Sequence, residues 1–95
     1  MAEYQRKKEL PESVQKGLRQ LAKRLKELRI QNGHGNYERF AYDNDISRGQ
    51  YWKYEKGESD LRFSVIIRLA EAHGLSLAEF FAEGFDDSEK GSQRA

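Results

Sequence analysis

Between Pro11 and Gly33 the chain reads PESVQKGLRQLAKRLKELRIQNG, where Val14, Leu18, Leu21, Leu25 and Leu28 recur at alternating spacings of four and three. A strand would split these residues between its two faces, whereas an α-helix gathers them on one. This segment is therefore a helix whose apolar stripe needs a partner. Pro11 suits a first helical turn and Asn32-Gly33 is a stop signal, which predicts a helix over about 11–32. About two heptads is short for an independent coiled coil. Lys16, Arg19, Lys23, Arg24 and Lys26 fill the other faces and read as a solvated basic surface.

The remaining segments repeat the pattern on a shorter scale. HGNYERFAYDND reads as a second helix, with Asn36 as N-cap, Glu38 in the first turn and Phe40 and Ala41 inward. Ser47 and Gln50 have capping-box spacing, and Ile46 and Tyr51 occupy the hydrophobic-staple positions around that cap, so a third helix starts at Ser47. Lys56-Gly57 ends it, since glycine takes the left-handed conformation that closes helices. FSVIIRLAEAHG places Phe63, Ile66, Ile67 and Ala70 at helical spacing up to Gly74. Ser76 and Glu79 form another capping box, opening SLAEFFAEG, which Gly84 closes. The expectation is an all-α domain of five helices over residues 11–84, between a flexible arm (1–10) and a flexible tail (85–95).

Ninety-five residues suit one small domain. With no cysteine, neither a disulfide framework nor a thiolate metal site can hold it, and apolar packing must suffice. No apolar run approaches a membrane span, and MAEYQRKKELPE has no signal-peptide core, so the expected location is the cytoplasm, away from membranes. The net charge of +1 says little, but its distribution is uneven. Residues 1–35 carry nine Lys/Arg against four Asp/Glu, residues 36–62 five against six, and residues 63–95 three against six. Neither His34 nor His73 has a serine, carboxylate or second histidine at a spacing that makes a triad or a metal site, so no enzyme, metal, cofactor or small-molecule ligand is indicated.

The second and third helices are joined by a turn of three to four residues, and the third opens with a capped, partly basic face, the helix-turn-helix arrangement. ELRIQNG, ERFAYDNDISRGQYWKYEKG and VIIRLAEAHGLSLAEFF, in that order, resemble the phage repressor and Cro type (Xre) helix-turn-helix family over roughly residues 18–83. The resemblance implies a lambda-repressor-like five-helix bundle, here with an extended first helix, whose third helix enters the DNA major groove. It also implies a structural ion pair, Arg29 with Glu55. The chain departs from the family pattern in its NGHGN loop, which is one residue longer and has His34 or Gly35 where an apolar residue is usual. It departs again with Tyr37 in place of a backbone-contacting glutamine, with acidic Glu58 and Asp60 in a loop that often approaches phosphates, and with His73 in place of a leucine.

At about 100° per residue, turning Tyr51 and Tyr54 toward the core leaves Gly49 pointing away from it, Trp52 and Lys53 outward and Arg48 at the flank. Arg48 is the first base-reading candidate, because its guanidinium can bond two guanine acceptors. Gly49 would allow a close backbone approach, or is a tolerated defect in the first turn. Gln50 is divided between capping Ser47 and recognising adenine, and Lys53 between a base or phosphate contact and solvation. Trp52 faces a thymine methyl, a sugar or another protein. Asn36, Tyr37, Arg39, Ser47, Lys56 and Arg62 are candidates for phosphate contact. The reading that follows is a homodimeric, sequence-specific regulator on double-stranded DNA, its dimer surface on the fifth helix or on Val14 and Leu18. The alternative is a protein-interaction module, an antitoxin or adaptor, using the third helix or the fifth with Phe80, Phe81 and Phe85.

Overall fold

The computed structural model describes residues 10–86, and all of their regular secondary structure is helical. The expected arm and tail lie outside these residues, apart from Leu10, Phe85 and Asp86. Five helices follow in order: α1 Glu12–Gln31, α2 Tyr37–Asp43, α3 Arg48–Lys56, α4 Phe63–Ala72 and α5 Leu77–Phe81. Helix α1 packs on α3, α3 on α2, and α4 on α5.

The stripe of α1 does its packing in its second half. Leu21, Leu25 and Leu28 are buried, Leu18 is half-buried and Val14 is exposed, so the helix runs on past the core at its N-terminal end. Tyr51, Phe80, Leu25 and Leu69 are the largest fully buried side chains. Burial of Phe80, Leu25 and Leu69 contributes roughly 1.5–3 kcal/mol each, which in a domain this small makes every one of them important.

Arg24 corrects the reading of α1's polar faces as wholly solvated. It is 6% exposed, its Nε donates to the Phe80 carbonyl at 2.7 Å and its Nη2 to the Glu79 carbonyl at 2.9 Å. These carbonyls would otherwise accept from residues 83 and 84 if α5 continued. With both engaged, α5 ends at Phe81, short of the Gly84 stop that the sequence predicts. Phe85 then folds back, its ring 4.9 Å from Phe81 and 6.2 Å from Phe80.

Two further details depart from expectation. Phe63 does not share the burial of Leu69 and Ala70; it is the first residue of α4 and 59% exposed, because the apolar period runs past the covered surface. The α1–α2 loop compensates for its extra length. Arg29 Nη1 donates to the carbonyls of His34 and Gly35 at 2.8 and 2.9 Å, and the His34 ring lies 5.0 Å from Phe40, standing in for an apolar side chain.

Candidate nucleic-acid interface

The turn between α2 and α3 is held by hydrogen bonds back to α2 and from α4. Asn44 Nδ2 donates to the Phe40 carbonyl at 2.8 Å, Ile46 N to the Ala41 carbonyl at 2.9 Å, and Arg68 Nη2 reaches from α4 to the Asn44 carbonyl at 2.8 Å. Asp45 has φ of 60°, the left-handed region that aspartate tolerates better than most residues. These bonds set the angle at which α3 leaves the bundle.

Helix α3 begins where the Ser47 side chain accepts from Gln50 N at 3.1 Å and ends at Gly57, φ 73°, where Gly57 N and Glu58 N donate to the Tyr54 and Lys53 carbonyls. Its inward face is Tyr51 and Tyr54. The Tyr51 ring stacks on Tyr37 at 6.5 Å and meets the edge of Phe40 at 5.4 Å. Burial, then the neighbouring Glu55 carboxylate, holds the Tyr51 phenol well above its usual range, so it stays neutral. At the last turn Arg29 Nε and Nη2 donate to Glu55 Oε2 and Oε1 at 2.7 and 3.0 Å, a bidentate pair joining α1 to α3 while Arg29 also holds the α1–α2 loop.

The outward face presents Arg48, Gly49, Trp52 and Lys53, all exposed. A side chain at Gly49 would meet nothing within 4 Å, so the surface there is open. Trp52 is 43% exposed, and the Lys56 ammonium sits 4.6 Å from its ring centroid. The family model for the helix-turn-helix domain matches residues 22–83, the bundle from mid-α1 through α5. The chain belongs to the helix-turn-helix domain family. No curated protein and no solved structure matches it significantly.

Within this helix-turn-helix domain the predicted site residues divide. Arg48 Nη1 lies 3.2 Å from Glu38 Oε2, an ion pair across the turn, and Arg39 pairs with Asp43 at 3.3 Å along α2. Asn36 Oδ1 accepts from Arg39 N at 3.1 Å and so caps α2. Tyr37 is half-buried against Tyr51. Arg62 is exposed at the N-terminus of α4. The capping-box spacing predicts that Gln50 Oε1 accepts from the Ser47 backbone N–H. Instead Gln50 Nε2 donates to Ser59 Oγ at 3.1 Å and ties α3 to the acidic α3–α4 loop. The bond to the loop serine turns the side chain away from Ser47, which the local spacing cannot reveal.

Two residues join this surface without a signal in the sequence. Glu38 reads there as a first-turn helix residue, yet it meets Arg48 ten positions on. Lys26 reads as a solvated lysine, yet it lines a cleft of about 280 Å³ with Arg29, Tyr37, Trp52, Glu55 and Lys56, where α1, α2 and α3 meet. Among the described residues no three His, Cys, Asp or Glu side chains come together as a metal site, and no helix is long and apolar enough to cross a membrane.

Proposed function

We propose that this domain is a sequence-specific transcriptional regulator that inserts α3 into the major groove of double-stranded DNA. What carries the reading is the outward face of α3, where Arg48, Gly49, Trp52 and Lys53 stand exposed on a helix whose other face is locked into the core. Arg48 reads guanine, Lys53 a base edge or phosphate, Gly49 permits close approach and Trp52 packs on a thymine methyl or sugar. Gln50, held by Ser59, supports the helix and reads a base only by leaving that bond. Asn36, Tyr37, Arg39, Ser47, Lys56 and Arg62 flank this face as phosphate contacts. The protein acts in the cytoplasm as a homodimer on a two-fold symmetric site, with half-sites about one helical turn apart. The experiment is selection from a random duplex pool, with binding repeated at two salt concentrations. An enriched, two-fold symmetric sequence bound less tightly at high salt is expected. No enrichment and no salt dependence overturns the reading.

One observation favours a protein-interaction module instead. Arg48 and Arg39 are each matched by an acid, Glu58 and Asp60 add charge of the wrong sign, and Trp52 stays exposed. An adaptor of this kind would give no salt-dependent DNA complex, so the same binding measurement separates the two.

A further inference from the structure

The positive charge near α3 is not where the most obvious arginines are. Arg48, Arg39 and Arg29 are matched by Glu38, Asp43 and Glu55. Lys26 and Lys56 make no ion pair among the described residues, and both line the cleft at the junction of α1, α2 and α3. Glu55 also lines it, but both of its oxygens accept from Arg29, so its charge is already countered. Three cations against one carboxylate leave the cleft doubly positive. Its remaining walls are Tyr37 and Trp52, and Lys56 lies over the Trp52 ring. Trp52 belongs both to this cleft and to the outward face of α3. A helix in the major groove has a phosphodiester backbone passing along its flank, and Trp52, Glu55 and Lys56 put this cleft along one flank of α3.

We propose that this cleft is a clamp for one backbone phosphate of duplex DNA. Lys26 and Lys56 grip the phosphate from opposite helices, and Trp52 and Tyr37 form apolar walls for the adjoining sugar. The proposal rests on the DNA-binding reading of α3 and gives the basic first helix a direct part in binding. Because both lysines serve one phosphate, their effects are coupled. The matched aromatic and cationic walls also fix where the backbone lies relative to Arg48, so the clamp positions the helix without reading sequence.

The test titrates a duplex of random sequence, and the duplex enriched by selection, into the full chain at several salt concentrations. Trp52, the one tryptophan in the chain, supplies the fluorescence signal. Lys26→Gln is expected to weaken both duplexes by the same factor and to make the slope of log affinity against log salt shallower by about 1. Lys26→Arg keeps the slope. Lys23→Gln removes the same charge from the same helix outside the cleft and leaves the slope within about 0.2 of the parent. In the double variant Lys26→Gln/Lys56→Gln the loss falls short of the product of the single losses. Equal effects of Lys26→Gln and Lys23→Gln, or independent losses at Lys26 and Lys56, overturn the clamp while leaving DNA binding intact. A parent chain with no salt-dependent affinity for either duplex overturns the DNA-binding reading, and the clamp with it.

Discussion

Arg24 in α1 closes the carboxyl end of α5: its guanidinium spans the Glu79 and Phe80 carbonyls at 2.9 and 2.7 Å and lies 5.7 Å from the Phe80 ring centroid. A single buried side chain thus joins helices more than fifty residues apart in sequence. Its link to Glu83 at 3.5 Å is mostly solvent-exposed on the acid side and adds little. Arg24→Met keeps much of the apolar stem but strips two charged hydrogen bonds from the end of α5. The expected cost is roughly 2–4 kcal/mol, seen as a lower midpoint in denaturant with an unchanged m-value. Arg24→Lys should recover only part of it, since one ammonium cannot replace the planar fork at both carbonyls. Equal stability of Arg24→Met and the parent would remove this contact from the architecture.

Arg29 and Glu55 make the other long-range lock, and both side chains are close to fully buried. Glu55→Ala leaves the guanidinium uncompensated and loosens its grip on the His34 and Gly35 carbonyls. Breaking a buried pair by removing one partner costs on the order of 3–5 kcal/mol. In a domain this small that is a drop of well over 10 °C in Tm. Arg29→Met with Glu55→Leu together should cost less than the sum of the two single changes, and a double-mutant cycle with no coupling would contradict the pairing.

His73 makes the fold sensitive to mild acid. Burial, the facing His34 and then Arg24 lower its pKa below the ordinary value of 6.5, with a weaker opposing pull from Glu55. Asn32 Nδ2 stands 3.0 Å from His73 Nδ1, which fits a neutral ring accepting there; Nε2 is buried without a partner. The unfolded chain therefore binds the proton more readily than the folded one. His73 contributes no penalty above about pH 6.5, and stability falls as pH drops from there toward the lowered folded pKa. Chemical denaturation at pH 7.5 and pH 5.5 checks this. His73→Leu should shrink the difference between the two conditions and, by replacing a buried unpartnered nitrogen, raise stability at both.

Local chemistry in this chain was readable residue by residue. The Ser76–Glu79 box closes with both bonds, 3.1 and 2.8 Å, because each partner lies within one helical turn of the other and nothing else competes. Gly57 ends α3 for an equally local reason, its positive φ. Arg24 was illegible because its partners are carbonyls, which have no sequence identity, on a helix placed against it only by the finished fold. Gln50 fails differently: the spacing to Ser47 is right, but Ser59 in the next loop accepts from its Nε2 and draws the side chain away. Lys26 and Glu38 show the same limit at the candidate interface, since a cleft made by three helices and a pair across a turn exist only once those elements are docked.

The Arg48–Glu38 pair separates stability from recognition. At 3.2 Å, with both side chains largely exposed, it should contribute no more than about 1 kcal/mol to folding, so Glu38→Gln should melt nearly like the parent. On DNA the same carboxylate opposes binding, because it competes with guanine for Arg48 and brings negative charge near the phosphates. Glu38→Gln is therefore expected to tighten binding to random-sequence duplex. Arg48→Ala should relax discrimination at one base position by roughly 1–3 kcal/mol while preserving the fold. Selection repeated with each variant decides the matter. The Arg48→Ala pool should lose its preference at one position in each half-site, whereas the Glu38→Gln pool should keep that preference, because Arg48 is then free to engage guanine. If Arg48→Ala selects the same sequence with the same enrichment as the parent, Arg48 is not a reader, and the outward charge of α3 serves some other partner.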